Sequence, residues 1–136
     1  MELLIGIVIA LAVTVFARLS GFDRDRAFYP SVTIVVAHYY LLFAVMGGQG
    51  FVPEILVMAL FVGVAVAGFR TSLWLVVAAL AGHGLFDFVH ARLIANPGVP
   101  VWWPPFCAGF DVMAAACLAW LVRDGSAINR WRQPAS

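Results

Sequence analysis

Residues 83–90 read His83-Gly84-Leu85-Phe86-Asp87-Phe88-Val89-His90. On an α-helix the two imidazoles and the carboxylate stand at i, i+4 and i+7, within about 60° of one another. Such a stripe can converge on a divalent cation or share protons along a chain. Zinc suits the set. In catalytic sites it keeps three protein ligands and leaves a fourth position to water. The expected metal ligands are His83, Asp87, His90 and Asp111, with Asp111 or His38 completing the group. Asp87 and Asp111 are the candidate catalytic carboxylates, either able to act as general base. His38 is also a cofactor-binding candidate.

Depth supports the grouping. Counted from the expected outer end of each apolar run at ~1.5 Å per residue, His83 lies ~15 Å in, Asp87 ~9 Å, Asp111 ~10 Å and His38 ~12 Å. Ionisable groups from three segments thus share one layer, with His90 and Glu54 just above it. Charged groups at membrane depth are costly and usually mark a functional interior. The plainer alternative is a structural hydrogen-bond network tying the second, fourth and fifth segments together. Tyr39 and Tyr40 can donate to such a network or simply pack. Trp102 and Trp103 read as an interfacial aromatic belt. Asp23-Arg24-Asp25-Arg26 reads as a solvated, self-paired loop. Asn96-Pro97-Gly98-Val99-Pro100 reads as a rigid cap above the site.

The elements that position these residues follow from composition. Of the 136 residues 64% are hydrophobic and 11% charged, and lysine is absent. A soluble domain is nearer ~45–50% apolar and ~25% charged. Five long apolar runs cover about 3–19, 31–46, 53–69, 73–94 and 104–122. Each is close to the ~20 residues that cross the hydrocarbon core. Runs two and three are at the short end and are also compatible with tilted spans or a helical hairpin. Gly47, Gly48 and Gly50 break the chain between them, and Asn96 to Pro100 cannot continue a helix. No strand-type alternation competes, and helices satisfy every backbone group in lipid. The expected fold is an all-α bundle of five transmembrane helices in one domain, 1–122, with a polar cytoplasmic tail, 123–136. The sequence opens Met1-Glu2 with no basic stretch before the first run, so that run is expected to be a retained span.

Small residues recur at helical spacing. Gly63 and Ala67, then Ala78 and Gly82, are expected to let helices approach closely inside the bundle. Cys107 and Cys117 are ~15 Å apart along one helix and cannot bridge within it. Both read as small packing residues.

Orientation follows from arginine. With five spans, Arg18, Arg24, Arg26, Arg70, Arg123, Arg130 and Arg132 share one side, and Arg92 alone is on the other. That bias predicts the N-terminus outside and the C-terminus in the cytoplasm, in a multi-pass inner-membrane protein. No basic stretch is long or regular enough for nucleic acid.

The series His83-x3-Asp87-x2-His90, Asn96-Pro97-x2-Pro100 and Cys107-x3-Asp111 resembles the pattern of the small bacterial membrane proteins grouped as DUF6010. The resemblance implies that His83, Asp87, His90, Cys107 and Asp111 act as one unit, and it assigns no reaction. A looser likeness is to polytopic hydrolases of the alkaline ceramidase type, which set His and Asp on several helices around zinc.

Three functions follow. The leading one is a membrane-embedded enzyme with zinc or another divalent metal, acting on a lipid or other apolar substrate. The second is an accessory subunit among membrane-protein partners, a scaffold or a binder of a tetrapyrrole on His38 or His83. The third is a proton or ion relay, weakened by the near absence of ionisable groups in the inner halves of helices two, four and five. The orientation is checked by reporter fusions after residue 136. Green fluorescent protein there is expected to fluoresce and alkaline phosphatase to be inactive; the reverse pair would invert the assignment.

Overall fold

The structure, a computed structural model, describes residues 1–125. It contains five long helices: α1 (Glu2–Ser20), α2 (Phe28–Gly47), α3 (Phe51–Arg70), α4 (Leu73–Leu93) and α5 (Trp103–Asp124). A single 3₁₀ turn, Phe22–Arg24, lies between α1 and α2. There is no strand among the described residues. All five helices are long and apolar enough to cross a membrane. The expected five spans are therefore present, and most of the tail, with Arg130 and Arg132, lies outside the described residues.

Four of the helices outrun their apolar runs by two to four residues, taking in flanking polar, glycine and proline positions, while α4 stops one residue short of its run. α2 begins three residues before Ser31, so Pro30 falls inside its first turn, where no backbone N–H needs an intrahelical partner. Pro53 stands likewise in the first turn of α3, and Pro104 and Pro105 in that of α5. α2 and α3 reach 20 residues each and span as fully as the others. Gly48 (φ 70°) closes α2 and Gly50 (φ 89°) precedes α3, a left-handed pair that turns the chain within four residues.

Burial separates two kinds of helix. In α1 and α3 only 17% of the membrane-length window is buried, against 44% in α2, α4 and α5. The latter three build the interior; the former two flank it. α5 lies between α1 and α4; α4 packs on α3, and α3 on α2. α1 and α5 meet through glycine. A Cβ on Gly6 would overlap the Phe106 carbonyl oxygen, and one on Gly109 the Leu3 carbonyl oxygen. Ala10 and Ala17 continue the same buried face of α1. In lipid, where no hydrophobic effect drives helices together, such close backbone contact contributes van der Waals packing to their association.

Two expectations need correction. Gly63, Ala67 and Ala78 are exposed, and no atom lies within 4 Å of a Cβ placed on Gly63. Gly82 is half-buried facing Phe61 of α3, the other three fall on the outside, and Gly68, packed against Val76, makes the close α3–α4 approach. The Asp23–Arg26 segment is not a self-paired solvated loop. Asp23 is buried and accepts from Arg18 Nη1 at 3.2 Å. Asp25 Oδ1 accepts from the Ala27 amide at 2.8 Å at the start of α2. Arg26 donates to the last carbonyls of α3, Nε to Phe69 at 2.7 Å and Nη2 to Gly68 and Thr71 at 3.2 Å. A cation at a helix C-terminus satisfies orphan carbonyls and the dipole together.

The glycine contact gives a matched pair of variants. Gly6→Ala is expected to cost about 1–3 kcal/mol through overpacking and to lower the thermal midpoint of detergent-solubilised protein. Gly63→Ala should leave the midpoint unchanged or slightly raise it. Equal midpoints would disprove the α1–α5 contact described.

Candidate metal centre

α4 carries its buried residues in one stripe: Leu73, Val76, Leu80, His83, Asp87 and His90. The spacing alternates three and four, the repeat of a single helix face. The stripe changes character at His83, apolar on one side and ionisable on the other. α5 repeats the pattern with Cys107 and Asp111, followed by Ala114, Leu118 and Leu121. The two polar halves face each other because Gly84 lets the helices close. A Cβ on Gly84 would lie 3.2 Å from the Ala108 carbonyl oxygen and 3.3 Å from Asp111 Cβ. That is tighter than ordinary contact.

The result is a group of four donors, His83, Asp87, Cys107 and Asp111, whose ligand atoms all lie within 4.8 Å of one another. His83 Nδ1 is 2.6 Å from Asp111 Oδ2 and 3.9 Å from Asp87 Oδ2. The Cys107 thiol donates to Asp111 Oδ2 at 3.6 Å. None of the four residues is more than 2% exposed. Tetrahedral zinc with bonds of about 2.0–2.3 Å would set its ligand atoms ~3.3–3.8 Å apart. To meet that, the 2.6 Å His83–Asp111 pair would open and the wider pairs, up to 4.8 Å, would contract.

Two carboxylate oxygens in the group, Asp87 Oδ2 and Asp111 Oδ1, are buried and have no hydrogen-bond partner among the described residues. Buried polar atoms are nearly always satisfied, since an unpaired one costs the whole of its lost hydration. A cation is the natural partner for two such oxygens beside an imidazole and a thiol.

A second polar centre lies one to two turns away. His90 Nε2 is 2.7 Å from Glu54 Oε1, and Asn96 Nδ2 donates to the same oxygen at 2.8 Å. Asn96 Nδ2 also donates to the Tyr40 carbonyl oxygen at 2.9 Å, so the Asn96–Pro100 segment is clasped to α2. Gly98 presses on α2 at Phe43 and Gly47, where no side chain would fit. Tyr40 links the two centres. Its hydroxyl donates to Asp87 Oδ1 at 2.6 Å, and its ring stacks on His90 with centroids 4.0 Å apart.

The structure thus brings His83, Asp87 and Asp111 together, adds Cys107, and places His90 with Glu54 instead of among the four donors. It places His38 elsewhere. His38 is exposed, with Nδ1 donating to the Ile34 carbonyl oxygen at 2.6 Å on its own helix. Two residues along a helix is a turn of about 200°, so when Tyr40 points inward His38 must point outward. Sequence reasoning set Glu54 at the level of His90 and allowed Tyr40 as a donor without assigning their partners, and it missed Asn96. The available signal was the phase of the α2 neighbours Val36, Ala37, Phe43 and Ala44, which share the buried face with Tyr40.

Comparisons with protein-family models, curated proteins and solved structures return no match to this chain.

Tyr40→Phe removes the one hydrogen bond to Asp87 Oδ1 and leaves a second buried oxygen on that carboxylate unpaired. It is expected to destabilise the protein by about 1–3 kcal/mol, measured by unfolding of the full chain in detergent. His38→Ala should change stability by no more than about 0.5 kcal/mol, as an exposed site does. Similar losses in both would count against the assigned network.

Proposed function

We propose that this protein holds one divalent metal ion, zinc by the chemistry of the donors, on His83, Asp87, Cys107 and Asp111, and that it is a membrane-embedded enzyme acting on a lipid. The observation that carries this reading is the pair of unpartnered, buried carboxylate oxygens of Asp87 and Asp111 inside a four-donor group. One imidazole, one thiolate and two carboxylates match the ligand types zinc takes. An ion there would polarise a carbonyl oxygen and activate water.

The chain's own residues have complementary roles in this proposal. Tyr40 fixes Asp87 from behind, which leaves Asp87 Oδ2 to the ion. Asp111, against both His83 and Cys107, is the candidate general base once a substrate displaces it. His90 and Glu54 hold the outer end of the site through Tyr40. The resemblance to the DUF6010 group is retained as part of the proposal because it groups the four proposed ligands, together with His90. The N-terminus outside and an inner-membrane location are likewise retained. A tetrapyrrole on His83 is disfavoured by its 1% exposure and by Phe61, whose ring is 4.9 Å away.

Elemental analysis of detergent-purified protein is expected to find about one zinc per chain. His83→Ala and Asp111→Asn should reduce it at least tenfold, and His38→Ala should leave it unchanged. His90→Ala should keep most of the metal. Wild-type protein without metal after zinc loading, or metal that survives His83→Ala, would end the proposal.

A further inference from the structure

α2 makes no extended backbone contact with α1 or α5. The gap between them is a cleft of about 370 Å³. It follows α2 from Phe28 to Tyr39, ~16 Å at ~1.5 Å per residue. That is about half the ~30 Å hydrocarbon thickness, the reach of a chain from one leaflet. Ile9 and Val35 form an exposed rim, so the cleft opens on the surface that faces lipid. The lining is apolar apart from Ser31, Tyr39, Trp103 and Cys107, and it contains no cation.

Two features of the inner wall are specific. Trp103 lines the cleft, is only 9% exposed, and its indole N–H has no acceptor among the described residues. A buried donor without an acceptor is costly, and hydrocarbon cannot satisfy it. Cys107, one helical turn further along α5, lines the same cleft while its thiol touches Asp111 of the four-donor group. The cleft therefore runs from the lipid to the edge of the candidate metal centre.

We propose that this cleft binds one acyl chain of an ester-linked membrane lipid, with the ester carbonyl oxygen accepting from Trp103 Nε1 and the chain lying along α2. The occupant is an acyl ester and not a free carboxylate, because no positive group lines the cleft to receive a charge. An ester held at Trp103 lies one turn, ~6 Å along the axis, from Cys107. This names the substrate class of the proposed centre. The catalytic consequence rests on the metal reading above, whereas the binding does not.

The test compares two single-chain probes on the full-length, zinc-loaded chain in detergent: 1-palmitoyl-lysophosphatidylcholine and its hexadecyl ether analogue, which lacks the carbonyl. Native mass spectrometry reads the fraction of chains carrying one probe. The ester is expected to bind about fivefold more tightly than the ether, the worth of one net hydrogen bond. Trp103→Phe should bring the ester down to the level of the ether. Val32→Trp, which fills the cleft, should reduce both, and both variants should keep the wild-type thermal midpoint in detergent, which shows that they fold. Equal binding of ester and ether by the wild type, or full retention of the ester by Trp103→Phe, would overturn the proposal. An ester preference in wild-type protein that holds no zinc would support the cleft and sink only the metal reading.

Discussion

A carboxylate enclosed by hydrocarbon must find partners inside the protein, because no water is present to supply them. Five acidic and imidazole groups meet this constraint within one end of the bundle, Glu54, His83, Asp87, His90 and Asp111, although one oxygen each of Glu54, Asp87 and Asp111 keeps no hydrogen-bond partner among the described residues. Much else in the structure follows from it. Asp87 needs Tyr40, so α2 must present that face. Glu54 needs His90 and Asn96, so the segment after α4 folds back over α3 and α2. Asp111 needs His83, so α4 and α5 must close at Gly84. The incomplete satisfaction of Asp87 and Asp111 gives the site its chemical meaning.

The polar groups occupy one half of the bundle and apolar side chains the other. On α4 the change comes between Leu80 and His83, and on α5 between Asp111 and Ala114. The well-packed half, with Val76, Leu80, Leu118 and Leu121 fully buried, gives the polar half a fixed base. This division also argues against conduction, since a relay across the membrane would need ionisable or hydrated groups along its full length.

Some of this was legible in the sequence, for identifiable reasons. The five spans depend on apolar length, a property of the chain taken in order. The common face of His83, Asp87 and His90 depends on the 3.6-residue period alone. Their division between two centres did not follow, because it depends on which side chain of another helix arrives opposite each one. Asp111 receives His83, and Glu54 receives His90. The error over His38 has a related cause. α2 is apolar around most of its circumference, so composition does not mark the buried face, and only Tyr40 meeting Asp87 reveals it. The small-residue spacings misled for the same reason. Gly63 and Ala67 look like Gly6 and Ala10 until a partner backbone is present on one side and lacking on the other.

The packing of α1 on α5 has a consequence for biosynthesis. Helices leave the translocation machinery in chain order, and α1 meets its main partner only when α5, about a hundred residues later, has been made. Until then α1 is joined to α2 through the short Phe22–Arg24 turn and its flanks, and His83 and Asp87 have no Asp111 or Cys107 to face. A nascent chain stalled after α4 would present uncompensated ionisable groups to lipid. Arrival of the fifth helix completes the donor group, so the last helix made is the one that covers the ionisable face of α4.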